Sequence, residues 1–156
     1  MSQGREAGIN LDGPYLDILQ LNKSGYCCSQ IMVKLVLNSL GQENPDLVRS
    51  MAALCHGIGY SGGTCGVLTG GACALSLSLG TQEFADQALP SRLSELVQWF
   101  TDLATDCYGG IRCDQILALS PGKRACSALM VATLEKVLAM SPHNALGKEG
   151  SGHGQP

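Results

Sequence analysis

Eight cysteines are the residues of this sequence most able to do chemistry. No two of them form a C-x-x-C pair, so a thioredoxin-type redox pair, a zinc-ribbon knuckle and a covalent haem attachment motif are all absent. In a reducing compartment, thiols serve metal binding or redox chemistry more often than structural bridges. The cysteine content therefore predicts thiol chemistry, at these positions: Cys27, Cys28, Cys55, Cys65, Cys73, Cys107, Cys113 and Cys126.

Four of the cysteines lie near the starts of predicted helices. Cys28, Cys65 and Cys113 each fall in the first turn of a helix, and Cys126 falls within the first two turns of another. Unpaired N–H groups and the positive end of the helix dipole lower the pKa of a thiol there and favour the thiolate. Because these cysteines also continue apolar stripes, we predict that they point inward from different helices to one site.

The other four cysteines have a simpler interpretation, because free cysteine often packs as a small buried hydrophobe. Cys55 and Cys73 suit that role best, although Cys73 is also spaced to face the site. Cys27 and Cys28 are adjacent and cannot both point inward in the same way, so we predict that one of them is a spectator. His56 follows Cys55 near a helix end and is predicted to be a surface residue.

The elements that must position these residues are predicted to be helices. The helical period recurs along the chain, while strand-like alternation does not. We predict an all-α fold, a single compact bundle of about five to six helices over residues 15–140 with cysteines at helix N-termini. A loose N-terminal arm is expected over residues 1–14 and a flexible tail over residues 141–156.

Local signals mark several helix boundaries. Asn44 followed by Pro45 predicts an N-cap and the first residue of a helix. Ser91 is predicted to cap a later helix, and Ser120 with Pro121 to open the last one.

Glycines are frequent around the central cysteine. Gly66, Gly70 and Gly71 fall inside a predicted helix, where each costs up to ~1 kcal/mol relative to alanine. Such glycines suggest something packed tightly against the backbone. With Gly63 in the preceding loop, Gly66 is predicted to let backbone N–H groups approach the sulfurs and contact a bound cofactor.

Composition and charge exclude several classes of protein. Apolar residues make up 45% of the chain and charged residues 15%, which is not a disordered composition. The net charge is −3 with no basic block, so no nucleic-acid partner is expected. No run approaches the ~20 apolar residues that span a bilayer, and residues 1–11 lack the pattern of a secretory signal. We expect a cytoplasmic protein without membrane insertion.

Four segments surround the cysteines at helix starts: residues 25–30 (GYCCSQ), residues 63–71 (GTCGVLTGG), residues 110–113 (GIRC) and the segment at Cys126. Together they resemble the C_GCAxxG_C_C family, whose members are described as redox-active. The first resembles the family's Gly-Tyr-Asn-Cys-Ala-Gln opening, and the second is similar to its central Cys-Gly-Ala-x-x-Gly motif. Residues 110–113 (GIRC) look like its third cysteine segment, and Cys126 fits its fourth cysteine. The resemblance runs from about residue 25 to residue 140.

The resemblance implies an iron–sulfur site, because related segments occur in cytochromes that carry one. Val67 departs from the family's alanine, and Ser127 stands where the family often has proline. The family's four cysteines carry over to Cys28, Cys65, Cys113 and Cys126. The other four cysteines of the chain lie outside this set and leave the number of ligands open.

The leading hypothesis is an iron–sulfur protein that transfers or senses electrons and has a redox partner protein. The first alternative is a thiol–disulfide oxidoreductase that uses the same four cysteines as two pairs. A structural zinc site and Cu(I) storage are further alternatives, because thiolates bind both metals. The sequence has no carboxylate pair, Ser-His-Asp set or phosphate-binding loop, so it leaves open whether the protein is an enzyme. It also leaves a homodimer open.

Overall fold

The computed structural model describes residues 13–80 and 88–142. The predicted arm over residues 1–14 and the predicted tail over residues 141–156 therefore lie almost wholly outside the described residues. Within them, the chain forms seven α-helices and no strand, with a 3-10 turn (Met51–Leu54) after the third helix. The helices are α1 (Pro14–Lys23), α2 (Cys28–Ser39), α3 (Pro45–Ser50), α4 (Gly66–Leu79), α5 (Ala88–Tyr108), α6 (Cys113–Leu119) and α7 (Arg124–Met140).

The all-α prediction is confirmed, and the predicted number of helices is slightly too low. Helix α3 has 6 residues and helix α6 has 7, and these two short helices bring the total to seven. Helix α4 is central, since it packs against α2, α5 and α7, while α1 lies against α7 and α2. The side chains between them form one apolar core that includes Met32, Leu75, Leu96, Phe100 and Met130.

The helix boundaries follow the local signals in part. The Asn44 side chain accepts a hydrogen bond from the Leu47 N–H at 3.1 Å, and Pro45 is the first residue of α3, as predicted. The predicted cap at Ser91 is wrong, because Ser91 lies inside α5. The last helix begins at Arg124 and not at Pro121, yet the Ser120 hydroxyl still accepts a hydrogen bond from the Ala125 N–H at 3.1 Å.

Helices α2 and α4 approach each other so closely that one position admits only glycine. A Cβ atom on Gly70 would lie 2.7 Å from the Cα atom of Ser29 and 2.9 Å from its carbonyl oxygen. Ser29 is fully buried, and its hydroxyl donates a hydrogen bond to the Met51 carbonyl at 2.9 Å. Gly71 has the same role toward α7, where a Cβ atom would meet the Thr133 methyl group at 2.9 Å. The tight packing expected around the central glycines is therefore present.

No described helix combines the length and the apolarity that crossing a membrane requires.

Replacing Gly70 tests the close contact between α2 and α4. In Gly70→Ala the added methyl group meets backbone atoms, so we expect the free energy of unfolding to fall by about 1–3 kcal/mol, despite the better helix propensity of alanine. Urea unfolding followed by circular dichroism measures the change.

The matched control is Gly122→Ala, because a Cβ atom on Gly122 meets nothing within 4 Å. Its free energy of unfolding should change by less than about 1 kcal/mol. Equal effects of the two substitutions would show that the helix contact does not require glycine.

Candidate functional site

The four cysteines singled out by the sequence line one cavity of about 220 Å³. Cys28 is the first residue of α2, and Cys65 is the N-cap of α4. Cys113 is the first residue of α6, and Cys126 is the third residue of α7. The N-terminal ends of four helices therefore meet around a cavity that receives one cysteine from each, and the predicted placement at helix ends is confirmed.

Gly66 provides the space for one of these sulfurs. A Cβ atom on Gly66 would lie 2.6 Å from the Cys28 Sγ and 3.1 Å from the Leu54 carbonyl oxygen. A side chain at this position would push the Cys28 sulfur away from the start of α4. Gly66 also lines the cavity, so it lies where the sequence prediction needs it, while its contact with a cofactor stays a prediction.

Gly63 contributes to the site through its backbone hydrogen bonds. Its N–H donates to the Gly57 carbonyl at 3.0 Å, and its carbonyl accepts from the Cys113 N–H at 2.6 Å. Two residues later, the Cys65 N–H donates to the Ile111 carbonyl at 2.8 Å. This short ladder, centred on an isolated antiparallel bridge, fixes the starts of α4 and α6 side by side. The Gly63 N–H is thus bonded within the loop, and a direct contact of Gly63 with a cofactor stays a prediction.

Burial raises the pKa of the site thiols. The pKa of Cys28 is about 11 and that of Cys65 about 12, mainly because burial disfavours the thiolate. Two backbone N–H groups oppose this: that of Ser29 at the start of α2 and that of His56 in the loop after the 3-10 turn lower the pKa of Cys28, but by less than burial raises it. Burial also raises the pKa of Cys113 and Cys126. The expectation that helix ends would leave these thiols with lowered pKa values is therefore wrong.

Two of the other cysteines form a disulfide. Cys27 and Cys55 are bonded to each other, with their Cα atoms 6.0 Å apart. Cys55 is buried, as predicted, but it is not an inert packing residue, and Cys27 is not a spectator because it lines the cavity together with Cys28. Cys73 is half-buried and is not among the cavity residues, and Cys107 is exposed.

The sequence reasoning missed several residues at the cavity. His56, predicted as a surface residue, is half-buried, lines the cavity and stacks on Tyr60 with 4.7 Å between the ring centres. Tyr26 and Lys123 also line the cavity, and the positive charge of Lys123 opposes the rise in the pKa of Cys126. The adjacency of a histidine to Cys55 in a glycine-rich loop was a signal that could have indicated His56.

The loop that carries His56 has an unusual backbone. Residues 56–60 all have positive φ angles, between 53° and 79°. For residues other than glycine this conformation costs roughly 1–2 kcal/mol each, and the β-branched Ile58 is the least suited to it. Hydrogen bonds hold the loop: the Gly59 N–H donates to the Ala53 carbonyl at 2.7 Å and the Tyr60 N–H to the Cys55 carbonyl at 2.9 Å. This left-handed loop (residues 56–60) places both rings beside the cavity.

In residues 13–80 and 88–142, no group of three or more His, Cys, Asp or Glu side chains is arranged so that it could hold a metal ion.

An all-α chain that collects four thiols and a disulfide around one cavity is a redox-active cysteine protein by class. The family model described as "Putative redox-active protein (C_GCAxxG_C_C)" matches residues 26–140, and the chain belongs to this family. The resemblance found in the sequence is thereby confirmed. A comparison with curated proteins and a comparison with solved structures each find no match.

Alkylation under native conditions tests the burial of the thiols. We expect iodoacetamide to modify the exposed Cys107 first and Cys65, which is 5% exposed, last. Because a thiol is neutral below its pKa, modification of Cys28 and Cys65 should accelerate about tenfold per pH unit from about pH 8 to about pH 10. Peptide mass spectrometry measures each site.

The variant Cys107→Ser serves as the control and should remove the fastest phase without altering the slower ones. If Cys28 or Cys65 reacts as fast as Cys107 at neutral pH, the burial described for these two thiols is wrong.

Proposed function

We propose that this protein binds an iron–sulfur cluster through Cys28, Cys65, Cys113 and Cys126 and uses it to transfer or to sense electrons. The observation that carries the proposal is the meeting of four free thiols, from the ends of four separate helices, on one cavity. The membership of the chain in a family described as redox-active supports the redox role in this proposal.

The donor set and its surroundings fit such a group. Four cysteine sulfurs are the usual ligands of an iron–sulfur cluster. A cluster held by four thiolates is anionic, and helix N-termini stabilise anions through their free N–H groups and dipoles. The Lys123 side chain adds a positive charge at the cavity. The absence of a side chain on Gly66 leaves the Cys28 sulfur room beside α4.

The size of the cavity favours a group of several atoms over a single zinc ion. Zinc holds its thiolates at about 2.3 Å, so four sulfurs must converge on one point. The cavity of about 220 Å³ far exceeds the ~10–15 Å³ that one water molecule needs, so it leaves room for more than a single ion between the sulfurs. A structural zinc site is therefore the weaker alternative.

The chain's own residues have three tasks in this proposal. Cys65 is buried and Cys28 is half-buried, which limits the access of water to their sulfurs, while the N–H groups of Val67 and Leu68 are directed at Cys65. Hydrogen bonds to ligand sulfurs and exclusion of solvent both tune the potential of a cluster. A cluster, when bound, supplies one-electron chemistry. Because the thiols must lose their protons to become ligands, binding should strengthen as the pH rises.

The thiol–disulfide oxidoreductase remains the alternative for the same four cysteines. In the structure all four are free thiols, and the disulfide joins two others. A redox partner protein and a cytoplasmic location stay predictions, and a homodimer stays open.

Iron and sulfide analysis after anaerobic reconstitution tests the proposal. Single serine replacements of Cys28, Cys65, Cys113 and Cys126 should each lower the iron and sulfide content severalfold and bleach the visible absorption, because each removes one ligand. Circular dichroism verifies that each variant is folded.

The matched controls are Cys73→Ser and Cys107→Ser, which replace free cysteines outside the cavity and should keep the iron content of the parent protein. A parent protein that binds stoichiometric zinc without sulfide, or no metal, would contradict the proposal. If Cys28, Cys65, Cys113 and Cys126 formed disulfides with one another and bound no iron, the result would favour the thiol–disulfide oxidoreductase.

A further inference from the structure

The disulfide between Cys27 and Cys55 lies on the wall of the same cavity. Its two sulfurs differ in access: Cys27 is half-buried and lines the cavity, whereas Cys55 is 1% exposed and does not. A molecule in the cavity can therefore reach this disulfide from one side only. The pair uses none of the four cysteines of the proposed cluster and lies outside the family's set.

We infer that the Cys27–Cys55 disulfide is a second redox centre, which exchanges with small thiol compounds that enter the cavity and attack the Cys27 sulfur. The inference goes beyond the proposed function, since it holds with or without a bound cluster. Its substrate class is a low-molecular-weight thiol and the corresponding disulfide.

The surroundings of the bond suit an exchangeable disulfide. The Ser29 oxygen lies 3.4 Å from the Cys27 sulfur and 3.7 Å from the Cys55 sulfur. Its proton is donated to the Met51 carbonyl, so the oxygen is available to accept a hydrogen bond from a newly formed Cys55 thiol. The buried leaving sulfur thus has a polar partner in the reduced state as well, which lowers the cost of burying it unpaired.

The fold does not depend on the Cys27–Cys55 disulfide for its stability. The helices share one apolar core of buried residues drawn from α1 to α7, and a chain of 156 residues can bury such a core without disulfides. Reduction is therefore expected to leave the bundle folded. If the disulfide instead held a small core together, its reduction would unfold the protein.

The exchange balances as two successive displacements. The thiolate of the first small thiol attacks the Cys27 sulfur; the Cys27–Cys55 bond breaks, a mixed disulfide forms on Cys27, and the Cys55 sulfur takes the electron pair and then a proton from solvent. A second small thiolate attacks the outer sulfur of the mixed disulfide and releases Cys27, which is protonated. In sum, one protein disulfide and two thiols give two protein thiols and one small disulfide, a transfer of two electrons and two protons.

The bond also joins two parts of the cavity wall. Cys27 is the N-cap of α2 directly before Cys28, and Cys55 directly precedes the left-handed loop. The His56 N–H of that loop is directed at the Cys28 sulfur. Breaking the bond releases this connection, so the redox state of the pair alters the surroundings of Cys28.

Reduction of the native protein is the first test. Metal-free protein in Cys107→Ser form, which lacks the exposed thiol, is equilibrated with glutathione and glutathione disulfide in graded ratios, quenched with acid and alkylated. We expect Cys27 and Cys55 to become reduced together without denaturant, while the helical circular dichroism is retained. A bond that is reduced only after the protein has been unfolded would overturn the inference.

Trapping of the mixed disulfide is the second test, in the same Cys107→Ser background. With Cys55→Ser, glutathione disulfide should modify Cys27; with Cys27→Ser, modification of Cys55 should be at least about tenfold slower, because its sulfur is buried. Peptide mass spectrometry locates the adduct, and Cys73→Ser is the matched control, in which the native disulfide should exchange as in the parent. Equal modification of Cys27 and Cys55 contradicts attack from the cavity.

Both tests use metal-free protein, so they separate this inference from the proposed function. Failure to bind iron leaves their results unchanged, and a disulfide that resists glutathione leaves the iron content of the reconstituted protein unchanged.

Discussion

The close contact between α2 and α4 is the constraint on which the site depends. Gly70 brings the backbone of α4 against that of Ser29, with no side chain between them. One turn earlier on α4 is Gly66, and one residue before Ser29 is Cys28, so the same contact brings the sulfur of Cys28 to the start of α4. A larger distance between the helices would separate Cys28 from Cys65 and open the cavity to water.

Burial governs the chemistry of the thiols gathered there. The helix ends act as expected on Cys65, since the N–H groups of Val67 and Leu68 lower its pKa, yet burial raises the pKa to about 12. The low polarity that disfavours a lone thiolate also strengthens its attraction to a cation. Burial therefore keeps these thiols neutral near pH 7, and in the proposed function a metal centre would compensate the negative charge that the thiols acquire when they become ligands.

The sequence was sufficient for features that rest on local signals. The start of α3 depends on the Asn44 side chain and Pro45, and the positions of the four site cysteines depend on where their own helices begin. The disulfide could not be predicted in this way, because it joins residues separated by 28 positions and depends on how the 3-10 turn lies against α2. The left-handed loop was also missed, since Ile58 and Tyr60 are poor residues for positive φ angles.

The bridge between Thr64 and Arg112 has a consequence for how this protein can change in evolution. It ties the segments before Cys65 and Cys113 together through backbone atoms, with the carbonyls of Gly63 and Ile111 accepting the hydrogen bonds. Backbone hydrogen bonds do not depend on which side chains the segments carry. A substitution in the apolar core that shifts the helices slightly therefore leaves the backbone segments that carry Cys65 and Cys113 bonded to each other.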